Sequence, residues 1–253
     1  MKLMLITQND PFYLHDALDY FFKKLPSNFK VVGAVVLSPS PFGKKLSNFQ
    51  KFISTYQIFG YKFTFYYSIK LLLSKIKRKN VNSVLNKHNI EIIKLAKSIN
   101  ANESLELIES FNPDILLSIA GNEIFRKPLI DLAPLGCLNL HTALLPKYRG
   151  LMPSFWVLKN KEEFTGVSVF YVDEGIDSGP IITQKKIPIV NLSQDELIRK
   201  SKKIGMQAII ESLLKIKNKS FKLQDNNAEE MTYFSFPTKK DVKEFYDNGA
   251  KFF

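Results

Sequence analysis

Apolar residues fall along this chain in two rhythms. Short, mostly apolar runs appear at "KLMLIT" (2–7), "VVGAVVL" (31–37), "DILLSIA" (114–120) and "CLNLH" (137–141). Such runs predict strands covered on both faces. A further strand is predicted near 90–93, and "GVSVFYV" (166–172) and "PIITQKKIPI" (180–189) add two more. Elsewhere the spacing turns helical, around 14–24 and over "NESLELIESF" (102–111), where Asn102 is the candidate cap. The clearest helix is 193–216. Ser193 and Glu196 have capping-box spacing, and Leu197, Ile204, Ala208 and Ile209 supply its apolar positions. Strands alternating with helices predict an α/β chain: a Rossmann-like, mostly parallel sheet with helices on both faces. The later strands are expected to make it mixed toward the C-terminal edge.

The pattern also divides the chain. Residues 1–216 read as one domain carrying an insertion at about 42–82, and 217–253 as a short C-terminal extension with an extended piece, a proline turn and a final helix. The insertion includes "YKFTFYYSIKLLLSKIKRKN" (61–80), aromatic first, then aliphatic and basic. A helical segment packed on the domain is the plain expectation. A peripheral membrane contact or protein contact through 61–80 is the alternative.

Composition narrows the classes. Hydrophobic residues make up 45 % of the chain, enough for a real core, and the formal charge of +12 favours anionic partners, although a lysine-rich background gives the same excess. A single cysteine, Cys137, excludes an internal disulfide framework and a multi-cysteine zinc site, and no metal-ligand spacing occurs. His15 and His88 stand in polar or helical contexts with no partner motif. The chain opens "MKLMLITQND", which reads as a strand and not as a cleaved leader, and no apolar run approaches ~18 residues. A cytoplasmic location is therefore expected.

The candidate chemistry starts at "NLHTALLPKYRG" (139–150). On a strand over 137–141, alternation puts Asn139 and His141 on one face with Cys137, and Leu138 and Leu140 on the other. An amide and an imidazole at the C-terminal end of a strand lie where open α/β sheets bind ligands. A constrained loop with Lys147, Tyr148 and Arg149 follows. One strand later, "VDEGIDSGPII" (172–182) carries Asp173, Glu174 and Asp177 between glycines. Taken singly, a core histidine and a solvated acidic turn explain both stretches. Together they offer a carboxylate to an imidazole.

These two stretches resemble the N10-formyltetrahydrofolate-dependent formyltransferases. The family pattern is Asn-x-His-x-Ser-Leu-Leu-Pro-x-x-x-Gly, and later Asp-x-Gly-x-Ile. Asn139, His141, Leu144, Leu145, Pro146, Gly150, Asp177, Gly179 and Ile181 match it, and Ala143 replaces the serine. The resemblance covers about residues 113–200 well and the first 40 by strand pattern only. It implies a formyl group passing from N10-formyltetrahydrofolate to an amine, with no enzyme nucleophile and no metal. Asn139 would donate to the developing oxyanion, His141 would stabilise that charge and move the amine's proton, and Asp177 would orient His141. The folate site would come from backbone of "AGNEIF" (120–125) and "VDEGID" (172–177), with Asn122, Ile124, Phe125, Asp173 and Glu174 around the pterin.

Three acceptor branches follow from the resemblance. The purine branch has a glycine-rich phosphate loop after its first strand, where this chain has "TQNDPF" (7–12). The methionyl-tRNA branch carries a C-terminal barrel for which 217–253 is too short, although the basic charge keeps tRNA open. An amino sugar carried on a nucleoside diphosphate fits best. Lys147, Tyr148 and Arg149 are the candidate acceptor contacts, with Trp156 and the aromatics of 61–67 as further stacking candidates; for Trp156, burial on the helix after Pro153 is the plainer expectation. A hydrolase acting on the same folate is the remaining alternative. Oligomeric state stays open, a homodimer included.

Overall fold

The computed structural model describes residues 1–38 and 47–253, without the side chain of Asn48. The insertion's residues 42–46 lie outside the described residues. The strands are β1 (Lys2–Gln8), β2 (Lys30–Leu37), β3 (Ile92–Ile93), β4 (Ile115–Ile119), β5 (Cys137–His141), β6 (Arg149–Gly150), β7 (Phe164–Tyr171), β8 (Ile181–Pro188) and β9 (Tyr233–Phe234). The helices are α1 (Leu14–Lys24), α2 (Asn48–Ile76), α3 (Val81–Lys87), α4 (Asn102–Glu109), α5 (Lys127–Ile130), α6 (Pro153–Lys159), α7 (Gln194–Lys217) and α8 (Lys239–Asp247).

A seven-stranded sheet runs β3-β2-β1-β4-β5-β7-β8. The first five strands are parallel, whereas β5–β7 and β7–β8 are antiparallel. The expected mixed edge is thus real, and the strand order reverses between β1 and β4. Crevices at such a reversal, at the carboxyl ends of the strands, are the ligand sites of open α/β sheets.

Alternation explains how the sheet is covered. Leu3, Leu5, Leu117, Leu138 and Leu140 join the larger core with α1, α6, α7 and α8. Met4, Ile6, Leu116 and Cys137 join a second core with Ile108 of α4 and Leu129 of α5. Each strand therefore feeds two cores with successive residues, which is why the apolar runs are nearly continuous. Leu140 packs so close to Gly205 of α7 that a Cβ there would lie 2.6 Å from the leucine methyl.

Capping boxes start α2, α3, α7 and α8, whereas α4, α5 and α6 begin with no side-chain cap bond. The Ser193–Glu196 capping box on α7 is formed from both sides. Asn102 is not the cap of α4: Ala101 holds that position, extended at φ −75° and ψ 145°, with no side-chain cap bond. The helix takes Asn102 in as its first residue, one position earlier than a cap at Asn102 requires. In the insertion, α2 is broken at Gly60, whose φ of +81° and ψ of 178° are not helical. Its inner side chains Phe59 and Phe63 stack on each other and pack edge-on to Phe252. A buried polar cluster holds the second half of α2 to α7. Asp195 Oδ1 accepts from Lys70 Nζ and Tyr13 Oη, Asp195 Oδ2 accepts from Arg199 Nε at 2.8 Å, and the Tyr13 and Tyr67 hydroxyls share a hydrogen bond.

Candidate active site

β5 ends the first parallel stretch of the sheet, and its last residue is His141. Asn139 lies opposite Ser118 of β4 and Phe170 of β7, and His141 lies opposite Ser168. The two side chains share a face and sit about 6.6 Å apart along the strand. Cys137 is on that face but deep in the core, and burial pushes its thiol up to about 12, which makes it a poor nucleophile.

His141 is almost fully buried. Its Nε2–H donates to the Tyr148 carbonyl at 2.7 Å, so that nitrogen carries the proton. Its Nδ1 faces Asp177 Oδ2 at 3.5 Å, within ion-pair range but too long for a strong direct hydrogen bond. Asp177 itself sits at φ +49°, a left-handed conformation that aspartate tolerates better than most residues, and Oδ2 also accepts the Gly150 N–H at 2.9 Å. The Asn139 amide, half-buried, has no hydrogen-bonding protein partner among the described residues. One side chain is fixed, one faces it across a gap, and one is left available at the same strand end.

The loop after β5 is held by groups that the sequence pattern did not single out. Ser168 Oγ donates to the Ala143 carbonyl at 2.7 Å and accepts from Leu145 N at 3.1 Å. Gln184 Nε2 reaches both Leu145 O and Ser168 Oγ. Ala143, at the family's serine position, is fully buried in the larger core. The Leu145–Pro146 bond is cis. Beyond it, Tyr148 and Met152 are left-handed at φ +61° and +51°, and Gly150 has φ +93°. At Gly150 a Cβ would also meet the Phe234 carbonyl at 2.3 Å, so both conformation and space require glycine.

That contact comes from the C-terminal extension. β9 pairs in parallel with β6, Arg149 to Tyr233 and Gly150 to Phe234. Tyr148 N donates to Thr232 Oγ1, and Leu151 N donates to the Phe234 carbonyl. Phe234 is stacked between Tyr148 and Trp156. Asn226 is the link that sequence reasoning missed. Its Oδ1 and backbone carbonyl accept from Arg149 Nη2 at 2.9 and 3.0 Å. Its Nδ2 donates to the Asp177 and Gly179 carbonyls at 2.8 and 2.9 Å. Gly179, next in this loop, is packed where a Cβ would overlap the Tyr171 carbonyl at 1.8 Å. Asn226 lies in "QDNNAEE", where no spacing or charge distinguishes it.

The three loop residues after Pro146 therefore differ. Lys147 is exposed and lines a cavity of about 430 Å³ with Tyr148, Lys161, Lys186 and Thr165. Tyr148 is buried, with its hydroxyl on Glu162, and burial and that carboxylate push it up to about 12. Arg149 is 5 % exposed and turned inward onto Asn226. Of the three candidate acceptor contacts only Lys147 is exposed; Tyr148 and Arg149 point into the protein because β9 and Asn226 cover them.

On the folate side of the expectation, Asn122 Nδ2 donates to the Ser38 carbonyl, Phe125 is buried in the second core, and Ile124 is mostly exposed. Asn100 fastens this loop by donating to Ile124 O and accepting from Arg126 N. In the acidic loop, Asp173 Oδ1 accepts from Gly175 N and Ser178 Oγ, and Glu174 is exposed. After β1, Asp10 Oδ1 accepts the N–H groups of Phe12, Tyr13 and Leu14. A carboxylate already occupies the N-terminus of α1. His15 pairs with Asp16 and His88 with Asp19, both away from this site. No cluster of His, Cys, Asp or Glu suited to a metal occurs among the described residues.

A mixed sheet with an Asn, a His and an Asp gathered at the end of β5 defines the formyltransferase kind of α/β fold. The formyl transferase family pattern matches residues 70–213. The chain is 36% identical over 178 residues to a methionyl-tRNA formyltransferase of Kosmotoga olearia, covering 68% of this chain and 56% of that protein. This chain belongs to the formyl transferase family. It spans about half the length of the relatives it matches in sequence. In fold it is similar to an N-formyltransferase from Helicobacter canadensis, solved with folinic acid and dTDP-3-aminofucose (TM-score 0.57, 19% identity, covering 93% of this chain and 71% of that one). It is also similar to a phosphoribosylglycinamide formyltransferase from Anaplasma phagocytophilum (TM-score 0.63, 13% identity, covering 92% and 98%).

Proposed function

We propose that this protein transfers the formyl group of N10-formyltetrahydrofolate to a primary amine, and that the amine belongs to a nucleotide-linked amino sugar. The observation carrying the reading is the meeting of His141 and Asp177, 3.5 Å apart, beside an Asn139 amide free of hydrogen-bonding partners among the described residues. The acceptor amine attacks the formyl carbon. Asn139 donates to the oxygen as it takes up charge. His141 Nε2 is committed to the Tyr148 carbonyl, so Nδ1 is the atom that exchanges the amine's proton, and the Asp177 carboxylate balances the charge on the ring. The nitrogen of tetrahydrofolate leaves with a proton. Asn122, Ile124, Phe125, Asp173 and Glu174 border the proposed folate side, where backbone groups of both loops hold the pterin.

The acceptor reading rests on two features. The Asp10 carboxylate on the N-terminus of α1 opposes an acceptor phosphate there, which disfavours the purine substrate. Lys147, Lys161 and Lys186 line a cavity beside the loop after β5 together with Glu162 and Glu163, a lining that keeps a positive excess for a diphosphate. Tyr148 and Arg149 serve in this reading as positioning residues for that loop. Methionyl-tRNA is the second reading, favoured by the 36% identity to the Kosmotoga olearia protein.

The test is release of tetrahydrofolate from N10-formyltetrahydrofolate, followed with nucleotide-linked amino sugars, with methionyl-tRNA, and with no acceptor. Turnover dependent on an amino sugar is expected. Turnover only with methionyl-tRNA moves the acceptor to the second reading, turnover with no acceptor makes the protein a hydrolase, and a folded protein inert in all three overturns formyl transfer.

A further inference from the structure

α2 has two apolar sides and only one of them is packed. Its inner residues Phe59, Phe63, Thr64 and Tyr67 face α8, the chain end and Tyr13. Its outer stripe is Tyr61, Phe65, Ile69, Leu72 and Ile76, at the i, i+4 and i+3 spacing of one helical face. Tyr61, Phe65 and Ile76 are each 68% exposed and Leu72 is 58% exposed. A shallow apolar groove of about 460 Å³ runs along this side between Tyr61, Phe65, Ile69, Leu73, Phe253 and Arg199. Before the break at Gly60, Phe49, Phe52 and Tyr56 are exposed as well. Single exposed hydrophobics are ordinary, but a continuous stripe of them is a docking surface.

Charge says what docks there. No Asp or Glu occurs anywhere from residue 20 to residue 90, while 47–90 holds eight lysines and arginines. Some are answered from elsewhere: Lys70 by Asp195, Lys79 by Asp16, and Lys87 by Asp19. Lys62, Lys75, Lys77 and Arg78 have no ion-pair partner among the described residues, and all four are exposed. We propose that the outer face of α2 seats this protein on an anionic lipid surface, with the aromatic and aliphatic stripe in the headgroup boundary and the Lys75–Arg78 end on the lipid phosphates.

The same observations set aside the other occupants. A second copy of this chain, docked by two-fold symmetry, would lay this acid-free surface on itself and bring like charges together. An RNA would meet the cations but leave the Ile69, Leu72, Leu73 and Ile76 side chains without a role, since a phosphate backbone is bound by charge and not by aliphatic area. An anionic bilayer uses both. The stretch from Tyr61 to Ile76 is about 24 Å long, enough to lie in the interface plane. It docks without leaving the domain, because Lys70, Tyr67 and Phe63 stay fastened on its inner side. No described helix is long and apolar enough to cross a membrane.

The experiment is co-sedimentation of the full chain with vesicles of phosphatidylcholine alone and of equimolar phosphatidylcholine and phosphatidylglycerol, at low and high salt. Sedimentation equilibrium and tRNA gel-shift run alongside. Binding is expected only to the anionic vesicles, weakening as salt rises. Lys75→Gln, Lys77→Gln and Arg78→Gln together should lower the partition coefficient roughly a hundredfold. Phe65→Ser, Leu72→Ser and Ile76→Ser together should lower it at least about tenfold. All six positions are exposed, so both variants should keep the wild-type thermal midpoint. The proposal is overturned by absence of vesicle binding, by equal binding to both vesicle types, by a wild-type dimer that the serine variant dissolves, or by salt-sensitive binding of tRNA alone.

Discussion

Two buried carboxylates, Asp177 and Asp195, make the most instructive pair in this molecule. Asp195 is answered by fixed cations, with Lys70 and Arg199 on its oxygens and the Tyr13 hydroxyl completing the set. Asp177 has no lysine or arginine partner among the described residues. One of its oxygens takes the Gly150 N–H, and the same oxygen looks across 3.5 Å at an imidazole. A carboxylate with permanent counter-charges holds elements together, here α2 on α7. A carboxylate whose only charged neighbour is a titratable ring is placed to respond when that ring changes its proton. Burial alone does not separate the two, since their side chains are 11% and 14% exposed; the identity of the partners does.

Exchanging an aspartate for asparagine at each site breaks the comparison open. Asp177→Asn should reduce formyl-transfer turnover by about 10²–10⁴-fold with little change in thermal midpoint, because an amide can still accept the Gly150 N–H but cannot balance the imidazolium. Asp195→Asn should do the reverse. It leaves the largely buried Lys70 without its anion and breaks the pair with the half-exposed Arg199, costs about 3 kcal/mol in denaturant unfolding, and leaves turnover per folded molecule intact. Equal effects of the two changes on turnover would remove the distinction.

Acid sharpens it. Burial acts to raise the Asp195 carboxyl, but the donors from Lys70, Arg199 and Tyr13 outweigh burial and hold it below the usual carboxylate range. A depressed carboxyl stabilises the fold fully above its unfolded value of 3.8, and that contribution is lost as pH falls through the folded value. Wild type should therefore lose stability on acidification below about pH 4 more steeply than Asp195→Asn, as read by urea midpoints across that range. Parallel curves would count against the pairing.

The smallest effect belongs to the residue between loop and carboxylate. Asn226→Ala removes the side-chain acceptor on Arg149 Nη2, keeping the backbone carbonyl, and removes the two hydrogen bonds that Nδ2 donates to the Asp177 loop, yet touches no reacting atom. It should cost about 1–3 kcal/mol in unfolding and lower kcat roughly tenfold through misplacement of Asp177, with KM for the folate unchanged. A KM change alone would assign Asn226 to binding instead.

Much of this could be read from the chain. The parallel strands were legible because each feeds two cores and so is apolar on consecutive positions, and the Asn139–His141 face followed from alternation alone. Asp177 was legible through glycine spacing and resemblance. Arg149 was not, because its burial depends on Asn226, 77 residues further on, and nothing local announces that contact. Tyr148 was missed for the same reason, its ring covered by Phe234 from β9. Asn102 failed as a cap because a good capping residue one position inside a helix looks the same in sequence as one at its start. The outer stripe of α2 was visible as apolar residues, but only the packed inner side showed that the stripe has no cover among the described residues.

The parallel clip between β6 and β9 has a consequence for how the protein is made. Asn139, His141 and Asp177 have all been synthesised by residue 177, but Thr232, Tyr233 and Phe234, which fix the loop whose Tyr148 carbonyl holds His141, follow more than fifty residues later. A nascent chain therefore carries the three candidate reacting side chains for some fifty residues of elongation before β9 can pair with β6 and lock their geometry.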